Sequence, residues 1–187
     1  TEAKVFEFIP LNPNVKILYK KIAVNKGKGN AIKVGLSICS GNIVVIQDSD
    51  LEYNPNDYNK LLELIVNDSA EIAYGNRFHG KNLKLGILSY IGNKGITGFS
   101  NLLSGQKLND IETGLKMFKR EVAENMILEE NRFGFEPEFT IKAIRHGGIK
   151  IKEVNIEYTP RNYRQGKKIG FKDGVRALYC VLKYRFA

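Results

Sequence analysis

In the stretch VVIQDSDLEY a buried-looking strand runs straight into Asp48, Asp50 and, two residues on, Glu52. Side chains two apart on an extended segment point the same way, so Asp48 and Asp50 can share one hard cation with phosphate oxygens. All-oxygen ligation of this kind suits Mg2+ or Mn2+. The same pattern also reads as an acidic turn that caps the following helix, and the spacing by itself leaves both readings open.

Other residues bear on that choice. The loop NKGKGN, Asn25 to Asn30, has glycines that permit close backbone approach, and its amides with Lys26 and Lys28 could hold phosphate. It lacks the spacing of a P-loop or a dinucleotide fingerprint, and it reads equally as a solvated turn. Arg77 in YGNRF ends a strand, where its fork suits a diphosphate or a structural contact. NDIETGLKMF places Asp110, Glu112 and Lys116 around a Thr-Gly turn, and NRFGFEPEF adds Arg132, Glu136 and Glu138. Carboxylates there serve as base or hydrogen-bond acceptor, with helix capping as the alternative for Glu136 and Glu138. His79 and His146 show no ligand spacing.

Charge is unevenly spread. Eight basic residues against the single acid Asp173 between Thr159 and Ala187 supply +7 of the formal net charge of +9. There PRNYRQGKKIGFKDG interleaves Arg161, Arg164, Lys167 and Lys168 with Tyr163, Ile169 and Phe171, which suits an anionic bilayer surface or a nucleic-acid backbone. Cys39 and Cys180 lie far apart in apolar segments, outside any zinc or redox spacing, as small core residues of a reducing compartment do. No apolar run approaches the roughly 20 residues that span a bilayer, and the first residues lack a signal-peptide layout. With 187 residues, 43% of them hydrophobic, the chain can bury one sizeable core.

These groups must be positioned by alternating strands and helices. VKILYKK is expected as a strand, AIKVGLSIC as a helix closed by Ser40-Gly41, and NIVVIQD as the next strand, making a βαβ unit. Asn54 caps a helix with Pro55 in its first turn and Tyr58, Leu61, Leu62 and Ile65 on one face. EIAYGNRF is a strand; the glycines of LKLGILSYIGNKGITGFSNLLSG predict short or closely packed helices. LKMF is a strand, EVAENM a helical turn, and EPEFTIKAIRHGG a helix stopped by paired glycines. IKIKEVNIEY alternates with a slip near Glu153 that suggests a bulge. KDGVRALYCVLKYRF puts Val175, Leu178, Tyr179 and Leu182 on one face. An α/β domain with a mixed sheet follows.

Seven motifs in order, NKGKGNAIKVGL, GNIVVIQDSDLEYNPNDY, YGNRF, LSYIGNKGITGFSNLLSG, DIETGLKMFKREV, NRFGFEPEFT and YTPRNYRQGKKIGFKDGVRAL, cover nearly the whole chain. Together they resemble the family 2 inverting glycosyltransferases of the dolichyl- or polyprenyl-phosphate sugar synthase type. The resemblance implies one GT-A domain, with a catalytic α/β core over 1–158 and a basic, membrane-facing loop and amphipathic helix over 159–187. It also implies a GDP- or UDP-linked sugar donor, Mg2+ or Mn2+, and a polyprenyl-phosphate acceptor at the cytoplasmic face of the membrane, with no nucleic acid as partner.

Carried over by position, Asp48, Asp50 and Glu52 are the expected metal ligands, and Asn25, Gly27, Lys28, Asp48 and Arg77 meet the donor. Asp110 and Glu112 are the expected catalytic carboxylates, while Lys116, Arg132, Arg161, Lys167 and Lys168 hold the acceptor phosphate. Two other readings stand beside this one: transfer to a soluble or polymeric cell-envelope acceptor, and a non-catalytic basic binding domain.

The family begins with a strand-helix-strand unit that binds the nucleotide base, whereas TEAKVFEF resembles the helix after it. That unit is therefore expected to be truncated or supplied by a partner chain. Its lack would leave strand edges bare, and poor stability, strand exchange or a homo-oligomer is expected.

Overall fold

The computed structural model describes residues 2–79, 86–161 and 170–187. Its centre is a four-stranded mixed sheet of β1 (Ile43–Ile46), β2 (Ile72–Asn76), β3 (Lys116–Lys119) and β4 (Ile151–Asn155), in the order β1-β3-β2-β4. β3 runs antiparallel to both neighbours, and β2 and β4 are parallel. β2 is buried at all five positions, as its inner place in the sheet requires.

Register decides where the site forms. Ile46 lies opposite Lys116 and Tyr74 opposite the same residue, so the ends of β1 and β2 meet the start of β3. The acidic stretch after β1, Arg77 after β2 and the Thr113-Gly114 turn before β3 therefore share one edge of the sheet.

Alternation along the strands feeds two cores. Ile72, Tyr74 and Phe118 face Phe135, Phe139 and Ala143 of α6 (Phe135–Arg145), with Ile32 and Leu36 of α2 (Lys28–Leu36) packed alongside. Ala73 and Met117 face the other way, onto Leu61 and Ile65 of α3 (Tyr58–Val66). A third cluster joins α4 (Ile87–Ser104), α6 and α7 (Phe171–Phe186) through Ile96, Ile141, Ala177, Cys180, Val181 and Tyr184. A short α1 (Glu2–Phe8) and α5 (Arg120–Glu124) complete the α-helices of the described residues. Among the described residues no helix is long and apolar enough to cross a membrane.

Several expectations hold. Asn54 accepts a hydrogen bond from the Asn56 amide ahead of α3, and α6 stops where Gly147 and Gly148 adopt left-handed φ of 68° and 72°. Others need correction. VKILYKK forms no strand, because a strand exists only through its ladder and β1, among the described residues, pairs with β3 alone. α2 ends at Leu36 rather than at Ser40-Gly41: the Ser37 hydroxyl donates to Val34 O and the Cys39 thiol to Leu36 O, so side chains take the last carbonyls. α4 is one helix of 18 residues. Among the described residues nothing approaches within 4 Å of a Cβ at Gly92, Gly95 or Gly98, so they do not mark close packing there.

β4 carries no bulge, since Ile151 to Asn155 pair in unbroken register with Ile72 to Asn76. Glu153 breaks the hydrophobic alternation for another reason, given below. In α7 the packed face is Ala177, Cys180, Val181 and Tyr184, while Val175, Leu178, Tyr179 and Leu182 stay exposed.

Candidate active site

The first expected metal ligand lies at one end of a chain of alternating charges. Asp48 Oδ2 is 3.0 Å from Lys28 Nζ, which is 2.8 Å from Glu136 Oε1, and Glu136 Oε2 is 2.7 Å from Lys116 Nζ. Burial works against the Lys28 charge, but Glu136 and Asp48 outweigh it and hold the ammonium firmly protonated. Burial likewise pushes Glu136 up, and the Lys116 and Lys28 ammoniums hold it below the usual carboxylate range. Lys116 is fully buried, and besides Glu136 it donates to the carbonyls of Ile111 and Thr113. It therefore shapes the Thr-Gly turn from beneath and cannot hold an acceptor phosphate, because its three donors are already committed.

The glycines of NKGKGN make this possible. Gly27 has φ 108°, and a Cβ on it would sit 2.6 Å from the Asn131 carbonyl. One on Gly29 would meet the Glu130 carbonyl. These glycines let the loop close on residues 130–132 of its own chain, where the Asn30 amide donates to Asn131 O, and Lys28 is thereby aimed at Asp48. The Asn25 side chain accepts from the Gly27 amide and stabilises the same turn.

Asp50 and Glu52 are held from the other side. Arg161 Nη2 is 2.6 Å from Asp50 Oδ2, its amide donates to Glu52 Oε1 at 2.8 Å, and the Tyr158 hydroxyl donates to Glu52 Oε2 at 3.2 Å. Burial raises the Asp50 carboxyl above its ordinary range. Among the described residues no three His, Cys, Asp or Glu side chains make a set able to hold a metal alone. The donors nonetheless fit Mg2+ or Mn2+, which take one or two carboxylates and complete their shell with water and substrate phosphates. Asp48 and Asp50 are such a pair, at present neutralised by Lys28 and Arg161.

The turn before β3 separates the two expected catalytic carboxylates. Asp110 is fully buried and grips Arg77 bidentately, with Oδ2 at 2.7 Å from Nε and Oδ1 at 2.7 Å from Nη2. Arg77 also stacks near Phe78 and Tyr158 and is itself 7% exposed, so it holds Asp110 in place of a substrate anion. The Glu153 carboxylate accepts from the amides of Asn109 and Asp110 and from the Asn109 side chain. That is why β4 carries a charged residue where its pattern slips. Gly114 lies against Asp48, where any Cβ would overlap Oδ2, and its amide donates to the Tyr53 hydroxyl at 2.7 Å. Only glycine lets this turn touch the acidic strand end.

Glu112 is different. Its Oε1 is buried and has no hydrogen-bond partner among the described residues. Burial, reinforced by Glu136 and opposed by Lys116 and Arg77, pushes its carboxyl up to about 8. A carboxyl raised on folding favours the folded state fully below about pH 4.5 and loses that contribution as pH rises through about 8. Glu112→Gln is therefore expected to flatten the fall in melting temperature across that window, read by circular dichroism. Parallel pH profiles for both proteins would remove Glu112 as the cause.

Arg132 is largely exposed and reaches Asp173 at 3.5 Å across an open groove of about 1010 Å3 that Phe171, Lys172 and Arg176 also line. Lys167 and Lys168 lie outside the described residues. Glu138 is fully buried and accepts from the amides of Glu129 and Glu130, a structural role. Sequence reasoning missed the joining roles of Glu136 and Glu153 and of the Tyr53 hydroxyl; only the slip in β4 offered a signal.

Residues 1–127 match the family model described as glycosyl transferase family 2. An uncharacterised protein of Methanocaldococcus jannaschii is 31% identical over 160 residues, covering 80% of this chain and 65% of its own length. The UDP-N-acetylglucosamine–dolichyl-phosphate N-acetylglucosaminyltransferase of Methanococcus voltae is 31% identical over 176 residues, covering 89% of this chain and 69% of that protein. Among solved structures, glucosyl-3-phosphoglycerate synthase from Mycobacterium tuberculosis, in complex with Mn2+ and UDP-glucose, superposes with a TM-score of 0.64 at 17% identity. That match covers 93% of this chain and 57% of the solved one, so the likeness is one of GT-A fold. The chain thus spans 65% and 69% of the length of these two relatives and 57% of the solved structure.

Proposed function

Because the chain belongs to glycosyl transferase family 2, we propose that it forms the catalytic part of an enzyme moving a sugar, with inversion, from a GDP- or UDP-linked donor to a polyprenyl phosphate. The observation that carries this reading is the meeting of Asp48, Asp50, Lys28 and the Gly114 turn at one sheet edge. Ligands of open α/β sheets bind at such strand ends.

An anionic acceptor suits the carboxylates available. Asp110 is committed to Arg77 and Glu136 to two lysines, and Glu112 keeps its proton near neutral pH. None of the three is free to deprotonate a hydroxyl at pH 7, whereas a phosphate monoester arrives largely ionised and attacks without a base. The names of relatives acting on dolichyl phosphate, in Methanococcus voltae and Dictyostelium discoideum, point the same way.

The work left to the protein is to bring two anions together and stabilise the departing diphosphate. Lys28, fixed by Glu136, would meet that diphosphate beside Asp48. Asp48, Asp50 and Glu52 would hold Mg2+ or Mn2+, which when bound supplies positive charge to the leaving group. Glu112 would face the sugar, and Arg132 and Arg161, with Lys167 and Lys168, would hold the acceptor phosphate. In this division residues 1–158 are the catalytic core and 159–187 face the membrane, where the exposed Phe171, Val175, Leu178 and Leu182 lie among Lys172, Arg176 and Arg185. The enzyme would then sit peripherally on the cytoplasmic membrane face.

Incubating the full-length protein with labelled UDP- and GDP-sugars, short-chain polyprenyl phosphate and Mn2+ tests this. Transfer of label to the lipid fraction, lost with EDTA, is the expected result. Label reaching only soluble acceptors would overturn the lipid assignment.

A further inference from the structure

Asp48 and Asp50 are neutralised by cations of unequal permanence. Lys28 is 17% exposed at its side chain and locked between Asp48 and Glu136. Arg161 is 37% exposed and sits on the outer side of the acidic turn. Its Nη2 bonds Asp50 Oδ2 at 2.6 Å, but the buried Nε approaches Glu52 Oε1 only at 3.3 Å and has no hydrogen-bond partner among the described residues. The Arg161 amide, the Thr159 amide and the Tyr158 hydroxyl tie the backbone beside it to Glu52 whether or not the guanidinium stays. Two carboxylates thus face one guanidinium held mainly by charge, on a backbone that needs no movement for the side chain to leave.

We propose that Arg161 is a stand-in cation: it competes with a divalent metal ion for Asp50 and Glu52, and loading of the metal frees its guanidinium for an anionic oxygen of the substrate. The inference rests on reading Asp48, Asp50 and Glu52 as the metal site. A guanidinium left in contact with both carboxylates would repel an incoming divalent ion, and its departure costs little because its side chain already borders solvent. An anion that receives the freed arginine favours the metal-loaded state, so metal and anion assist each other's binding. Lys28, by contrast, stays, because leaving would strand Glu136 beside a single lysine.

Binding of Mn2+ alone, followed by the electron paramagnetic resonance signal of the free ion, tests this in full-length protein without nucleotide. Arg161→Ala is expected to bind Mn2+ about tenfold more tightly than the wild type, a difference of about 1.4 kcal/mol. Arg161→Lys should fall between them, and Asp50→Asn should abolish binding. Arg161→Gln, which keeps a polar side chain, repeats the test should the alanine variant melt early. Measurable binding that is equal or weaker in the alanine and glutamine variants overturns the exchange and leaves the metal site standing. No Mn2+ binding by any of the proteins overturns both.

Discussion

Glu136→Ala is expected to destabilise the protein by about 3–5 kcal/mol, the usual cost of breaking a buried ion pair from one side. The residue is 3% exposed and stands between two ammoniums, Lys28 at 2.8 Å and Lys116 at 2.7 Å. Removing it leaves the fully buried Lys116 with no carboxylate among the described residues, only the Ile111 and Thr113 carbonyls and the Tyr74 ring, and leaves Lys28 with Asp48 as its one ion-pair partner there. The consequence reaches beyond stability, because Lys116 supports the turn that carries Gly114 and Lys28 meets the acidic strand end. Urea unfolding followed by circular dichroism measures the loss. Glu136→Leu combined with Lys116→Met should recover part of it, since well-packed apolar groups replace buried ions at small net cost. A loss below about 1 kcal/mol in the alanine variant would show that the four-charge chain contributes nothing special.

Asp50→Asn is expected to lower kcat/KM for sugar transfer by about 100- to 1000-fold, the range typical of removing one group that stabilises transition-state charge. The substitution is nearly isosteric, so the fold should survive, with a change in stability of about 1 kcal/mol or less from the lost pairing with Arg161. Transfer activity at the Mn2+ concentration that saturates the wild type, measured beside melting temperature, separates the two effects. Activity within about tenfold of the wild type would sink the assignment of Asp50 to the leaving diphosphate.

Much of the scaffold was readable from local signals. The Asn54-Pro55 start of α3, the apolar run of β2 and the paired glycines after α6 each act within a few residues, where capping and backbone preference operate. The acidic end of β1 was equally plain. VKILYKK shows the limit: a strand-like pattern becomes a strand only where a neighbour offers a ladder, and no local feature reports that.

The site divides in the same way. Residue types and spacing picked out Asp48, Asp50, Lys28, Asp110 and Glu112 as groups with chemical potential. Only the tertiary structure decided their partners. Antiparallel insertion of β3 between β1 and β2 sets the Thr113-Gly114 turn against Asp48, commits Asp110 to Arg77, and turns Lys116 from a substrate ligand into a buried support. A buried charge is defined by which opposite charge lies within about 3 Å in a medium of low polarity, and that neighbour comes from another strand or helix. Sequence spacing carries the inventory of charges; the register of the sheet carries their pairing.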